Sequence, residues 1–313
     1  MTRVLDTAAA LCPSSASQAL TRRACMRDCL GAALGLANWW PALGASSAWA
    51  AEAVQAAGAA DVMADLQRFL GSRSPLDIQD FGGPFSRRDV VEAVLLHQAL
   101  HRGGWTQALQ FQDMPSGERL LREISSGKLI CSATTYWSQD IAGAEDGTLL
   151  SLPMIGVGEF EAGLYTVPSN TRALAAKSAA DVRALSVVSN RNWAVDWQTL
   201  EALGFRQRHH VTNWELMPRM VAAGRADFLL APFQNSADLS LQVNGVRLQP
   251  IPGFKVSLQG TRHYLIARKH PQGMALLGAL NSGLQQLRAQ GVIHNAYQQS
   301  GFFNPKVRGW QKL

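Results

Sequence analysis

Twice along this chain, short apolar runs alternate with stretches whose apolar residues fall three and four apart, and this alternation limits the possible folds more than any other feature. In the first series, Leu76 and Ile78 lie two apart and predict a strand over 75–81, ended by Gly82, Gly83 and Pro84. Ser86 then predicts a helix N-cap, with Asp89 in the first turn and Val90, Val91, Val94, Leu95 and Leu100 on one face. A second strand is predicted over 108–112. A helix capped by Ser116 and ended by Gly127 follows, and then a third strand over 129–133. The second series predicts strands over 185–188, 209–211 and 227–231, with helices over 195–203 and 214–223 between them. Strands separated by helices pair in parallel, with the helices packed on the sheet. Residues 149–167, with Gly156, Gly158 and Gly163, read as extended chain passing between the two series. A strand over 262–268 and a long helix over 274–290 then return to the first. The expected fold is α/β with two lobes, each a mostly parallel sheet flanked by helices, and a ligand cleft between them.

The first 50 residues read as an address rather than as structure. Arg3, Arg22, Arg23 and Arg27 precede an uncharged apolar stretch over 30–48, which ends in the small-x-small sequence Ala48, Trp49, Ala50. This layout predicts a signal peptide over 1–50, cleaved near Ala50, and a periplasmic product. The pair Arg22 and Arg23 fits the twin-arginine route as well as general secretion. Removing four Arg and two Asp with the leader leaves 25 basic and 21 acidic side chains from totals of 29 and 23, a net charge of +4. That bias is mild and spread along the chain, which excludes a nucleic-acid partner. Cys12, Cys25 and Cys29 leave with the leader, so Cys131 stands alone, and its apolar neighbours predict a buried small hydrophobe.

The predicted strand ends gather the residues that could hold a ligand. Asp80 and Phe81 close the first strand, and Thr134, Thr135, Tyr136 and Trp137 follow the third. Asn190, Arg191 and Trp193 follow the strand at 185–188, and Trp214 follows the strand at 209–211. Aromatic plates beside hydroxyl, amide and guanidinium groups suit a small polar or anionic organic ligand. Asn213 reads as a plain helix cap. His209 and His210 are neighbours on a strand and point to opposite faces, so they do not chelate one metal ion. No phosphate loop, dinucleotide fingerprint or nucleophile elbow is present, so no metal, cofactor or catalytic residue is predicted.

Three stretches carry a resemblance to the type II periplasmic solute-binding proteins, the ABC-importer receptors of the polar-amino-acid-binding branch. They are the helix from Gly117 to Gly127 with Lys128, leading to Ser132 and Tyr136; the run from Met217 through Gly224, Arg225 and Asp227; and the C-terminal helix ending at Gly291. The resemblance covers about residues 72–303. It implies a signal peptide, then an N-terminal extension over 51–71, a first lobe over 72–167, a second over 168–258, and a return to the first lobe over 259–313. The chain's crossing out and back between the two series predicts hinges near 165–185 and 233–262. The implied function is capture of a small polar ligand by a monomer, for the membrane subunits of an ABC importer or for a membrane sensor. In that family an Arg after the Thr-rich strand end clamps the ligand's α-carboxylate through two parallel hydrogen bonds. Here residues 134–140 contain no Arg, and Asp238 is only a loose match for the family's acidic partner of the ligand ammonium. The resemblance therefore points away from a standard amino acid, with Arg191 as a substitute clamp from the opposite lobe. The alternatives are a dehydratase-like enzyme, with Asp80, Glu159 and Asp196 as its acidic candidates, and a degenerate receptor that binds only protein.

Overall fold

The computed structural model describes residues 53–313, and the predicted leader lies outside them. The first half runs β1 (Val54–Ala59), α1 (Ala60–Leu70), α2 (Arg88–Arg102), β2 (Leu109–Met114), α3 (Gly117–Ser125), β3 (Cys131–Trp137) and β4 (Thr148–Leu150). The second runs β5 (Phe160–Thr166), α4 (Thr171–Leu174), α5 (Ala179–Arg183), β6 (Val187–Ser189), α6 (Ala194–Ala202), β7 (Arg208–His210) and α7 (Leu216–Ala222). It continues through β8 (Phe228–Pro232), β9 (Leu241–Val243) and β10 (Val246–Leu258). The chain finishes with β11 (Arg262–Ala267), α8 (Gly273–Ala289), α9 (Val292–Gln299) and β12 (Gln311–Lys312).

Two sheets result, one per lobe. The first has the order β2-β1-β3-β11-β4, and the second β12-β10-β5-β8-β6-β7 with β9 paired to β10. β1 runs parallel to β2 and β3, and β6 runs parallel to β7 and β8, as the alternating pattern requires. Apolar side chains fill both lobes. Cys131 lies fully buried in β3, where burial pushes its thiol up to about 12, so it serves as a small core residue.

Several expectations need correction. The stretch read as an N-terminal extension forms β1, an interior strand of the first sheet, and α1. Its sequence is mostly small residues, and Ala56 and Ala57 are completely buried where helices cover both faces, so no alternating pattern marks it. The predicted strand over 75–81 is a 3-10 turn at Pro75–Asp77 followed by a loop. Its apolar Ile78 and Phe81 plug the core instead, and Gln98 Nε2 donates to the carbonyls of Pro75 (2.9 Å) and Ile78 (2.8 Å). Ser86 does not cap α2, because its hydroxyl bonds the Phe81 carbonyl.

The lobe crossings also move. β5 pairs antiparallel with β8 and β10, so the chain leaves the first lobe at 151–159, earlier than the predicted 165–185. It returns at 259–261, at the end of the second predicted range, and a bridge between Ile155 and Arg262 ties the two crossings together. The tail does not remain with the first lobe. Gly301, at φ +82°, sits against the Asn235 backbone, and Asn235 Nδ2 donates to the Gln299 carbonyl at 2.8 Å. β12 then joins the second sheet beside β10, so the chain crosses three times. Among the described residues no helix is long and apolar enough to cross a membrane.

The return to the first lobe depends on two glycines. A Cβ on Gly103 would lie 1.8 Å from the Ala279 carbonyl oxygen, and one on Gly283 would lie 1.8 Å from the Ala99 carbonyl oxygen. α8 therefore packs on α2 backbone to backbone, which only a residue without a side chain allows.

Candidate functional site

Parallel strands end at one edge of each sheet, and the two edges face one another across a cavity of about 800 Å³. From the first lobe come Ala59, Ala60 and Asp61 after β1, Met114 to Glu118 after β2, and Tyr136 and Asp140 at and beyond the end of β3. The second lobe contributes Asn190, Asn192 and Trp193 after β6, Thr212 to Glu215 after β7, and Val243 and Asn244 at the β9–β10 turn. Leu121 and Leu265 complete an apolar floor.

Aromatic rings and carboxylates dominate this lining. Trp193 and Trp214 lie with ring centroids 6.3 Å apart at 38°, a tilted pair that walls the second lobe's side. Tyr136 faces them from the first lobe, and burial pushes its phenol up to about 12, so it stays protonated. The carboxylates are Asp61, Glu118, Asp140 and Glu215, and among the described residues no Lys, Arg or His lines the cavity.

Three of these acids stand at helix N-termini, and the third, Glu215, is the N-cap residue of α7. Asp61 stands in the first turn of α1 and takes a hydrogen bond from Arg87 Nη2 at 2.8 Å. Glu118 stands in the first turn of α3, whose backbone N–H holds its carboxyl below the usual range. Glu118 Oε1 also accepts from Asn192 Nδ2 at 3.3 Å, a hydrogen bond that joins the lobes across the cleft. Asp140 differs from all three. Its Oδ2 accepts from the Trp137 backbone N–H at 2.9 Å, while its Oδ1 is buried without a partner. Burial pushes this carboxyl up to about 6 against the opposing pull of Arg262.

Behind the wall lies an ionic network. Glu92 is completely buried in α2 and accepts from Arg88 Nη1 (2.7 Å), Thr135 N (2.9 Å), Thr135 Oγ1 (2.8 Å) and Tyr297 Oη (3.0 Å). Arg262 Nε donates to Thr135 Oγ1 at 3.1 Å, and its guanidinium lies 4.6 Å from the Trp137 ring centroid. Across the lobe boundary, Asp196 of α6 is also raised to about 6 by burial, with Arg262 opposing and Asp140 adding to the shift.

Of the ten residues expected at the site, Tyr136, Asn190, Trp193 and Trp214 line the cavity. Asn190 does so as a strut: its Nδ2 donates to the Thr212 carbonyl at 3.2 Å and its Oδ1 accepts from Asn192 N at 2.9 Å. Thr134, Thr135 and Trp137 are buried, because β3 runs inside the sheet and α2 covers the face that Thr135 presents. Phe81 is core, and its backbone N–H donates to Gln299 Oε1 at 2.7 Å. Asp80 accepts from Gly82 N at 2.9 Å and shapes a turn. Arg191 is exposed, with its guanidinium 5.2 Å from the Trp197 ring centroid, and it does not line the cavity. Asp238 pairs with Arg247 on the surface, away from the cleft. Asn213 caps no helix by itself. Its Oδ1 accepts from Glu215 N at 2.8 Å in a turn ahead of α7.

Sequence reasoning missed Asp61, Glu118, Asp140 and Glu215. An acid in a helix's first turn is the ordinary partner of the helix dipole, so nothing local marks Asp61 or Glu118 as facing a cleft. Asp140 was within reach, since it closes the stretch in which the missing Arg was sought.

No protein-family model matches the chain, and no curated protein matches it. Solved structures do. The BvgS periplasmic VFT2 domain of Bordetella pertussis aligns with a TM-score of 0.53 at 14% identity, over 78% of this chain and 92% of that one. The BvgS periplasmic domain of B. pertussis aligns with a TM-score of 0.50 at 16% identity, over 78% of this chain and 46% of that one. At such identity the likeness establishes a shared fold, that of two-lobed periplasmic binding domains.

Proposed function

We propose that this chain, built on the type II periplasmic-binding fold, is an extracytoplasmic solute-binding protein that closes its lobes on a small organic molecule. One observation carries the reading. A cavity of about 800 Å³ lies where the strand ends of both lobes meet, within the size range of small-molecule sites, and both lobes supply its aromatic walls. The Glu118–Asn192 hydrogen bond joins those walls, so closure and ligand contact use the same surfaces. Captured solute would pass to the membrane subunits of an ABC importer or be presented to a membrane sensor. The predicted leader over 1–50 supports an extracytoplasmic location.

The cavity has no basic lining residue, which weighs against the anionic ligands that the sequence admitted. A second reading, proton-transfer catalysis on the same scaffold, has the raised carboxyl of Asp140 in its favour. Protein purified from its periplasm, denatured and analysed by mass spectrometry should release one small molecule in near-stoichiometric amount. Small-angle scattering should then show compaction when that molecule is restored. No released molecule and no compaction with any cell extract would sink the binding reading. A change in the molecule's mass on incubation with protein would establish catalysis instead.

A further inference from the structure

We propose that the cleft selects an organic cation, with a primary ammonium or guanidinium on a flat or apolar body and no carboxylate of its own. This rests on the binding reading above and names the chemistry of that same site.

Three features lead there. The first is the charge of the wall. Four carboxylates and no basic side chain line the cavity among the described residues, so a ligand carboxylate finds no guanidinium or ammonium to bond. Of the helices that begin at the cavity, α1, α3 and α6 carry the chain's own acids Asp61, Glu118 and Asp196 in their first turns, and α7, a seven-residue helix, has Glu215 as its N-cap. The guanidiniums behind the wall do not reverse this balance. Arg88 and Arg262 face Asp89, Glu92, Asp140 and Asp196, so carboxylates outnumber them. Arg87 is itself engaged with Asp61, Asp65 and Asp89.

The second feature is shape and surface. Trp193 and Trp214 on one lobe and Tyr136 on the other line the cavity, and the negative face of an aromatic ring attracts a cation within about 6 Å. The third is an orphan acceptor. Asp140 lines the cavity, and its Oδ1 is shut off from solvent and takes no hydrogen bond from the described residues, so a turn of the carboxylate about its Cβ–Cγ bond is needed to bring that oxygen to a ligand. A buried acceptor left without a donor is costly, and a ligand N–H removes that cost. The proposal places the charged head at Asp140 and the body beside the indoles and Tyr136.

Asp140 also sets a pH dependence. Its neighbours are Arg262 from β11, Asp196 from α6 and Tyr136 from β3, and burial raises its carboxyl to about 6. Binding a cation requires the ionised form. Affinity should hold above pH 7 and fall about tenfold between pH 7 and pH 5 as Asp140 takes up a proton.

The test uses matched probes in calorimetry and thermal-shift assays. Tyramine is set against 3-(4-hydroxyphenyl)propionate, which replaces its ammonium by a carboxylate. Agmatine is set against L-arginine, which adds an α-carboxylate. In at least one pair the cation should bind at least tenfold more tightly than its carboxylate-bearing partner. Asp140→Asn should cut that affinity about tenfold or more and flatten its pH profile. Trp214→Ala should weaken binding at every pH while leaving the profile's shape intact, a control in case the Asp140 variant folds poorly. Tighter binding of a carboxylate-bearing partner, with loss on Trp214→Ala, would overturn the charge inference and leave the binding reading standing. Absence of binding by all four probes, together with an anionic molecule released from purified protein, would overturn it in the same way. No probe binding, no released molecule and no compaction would remove the binding reading itself.

Discussion

The two walls of the cleft are built differently. Behind the first lobe's wall, Glu92 receives four hydrogen bonds in a fully buried site, Tyr264 Oη donates to the Glu92 carbonyl at 2.6 Å, and α8 lies directly on the α2 backbone. The second lobe's wall is two loops held by two amide hydrogen bonds of Asn190, to Thr212 and from Asn192 N, and one of Asn213, from Glu215 N, with a half-buried indole pair on top. A satisfied buried charged network fixes one geometry, whereas a few part-buried or exposed amide bonds hold a loop more weakly. The first lobe is therefore the fixed platform and the second the adjustable cover. On the proposed binding reading, the cover's aromatic rings would make contact when a ligand draws the lobes together.

The largest expected effect tests the platform. Glu92→Ala leaves the Arg88 guanidinium buried beside only Asp89, at 3.7 Å, and strips Thr135 and Tyr297 of their acceptor. Breaking a buried ion pair from one side costs about 3–5 kcal/mol, to be read from urea unfolding midpoints. A loss below about 1 kcal/mol would mean the network holds nothing in place and the contrast between walls is false.

Gly283→Ala should cost less, about 1–3 kcal/mol, because its Cβ would force α8 away from the Ala99 carbonyl on α2. Its informative readout is hydrogen exchange. Protection should fall in α2 and β3, behind the first wall, and stay unchanged in the loops after β6 and β7. Equal loss in both lobes would show that the platform and its cover unfold as one unit.

The smallest stability effect belongs to the cover. Trp193 is half-buried, and Trp193→Ala should shift the unfolding free energy by about 1 kcal/mol while abolishing ligand-induced compaction in scattering. A stability loss comparable to that of Glu92→Ala would make Trp193 a core residue rather than part of a moving cover.

Much of the scaffold was legible locally. The periodic stripe of Val90, Val91, Val94 and Leu95 specifies α2, Ser116 caps α3 through Arg119 N at 3.2 Å as its position predicts, and β11 and α8 begin within a residue of expectation. Four of ten expected contact residues reach the cavity because loops that follow parallel strands share one edge of a sheet. β1 was not legible, since small residues in a doubly covered strand show no alternation. Nor was the fate of Thr135, which depends on whether α2 covers that face of β3.

The sequence by itself determined most of the helices and many of the strands, because burial of one face imprints a period of 3.6 or 2 on the residues that form it; β1 and the segment over 75–81 escaped that rule. It also determined that strands alternating with helices, such as β6, β7 and β8, pair in parallel and that the chain divides between two sheets, whereas the antiparallel pairing of β5 and β11 was not legible. Only the tertiary structure decided which charges meet. Glu92 looks like any helical acid until strand order places Thr135 and Tyr297 against it, 43 and 205 residues away. Asp140 and Asp196 come from different lobes, and they press on one another only once the chain has crossed from lobe to lobe. Electrostatic interaction depends on distance in space and on exclusion of water, and neither is set by distance along the chain.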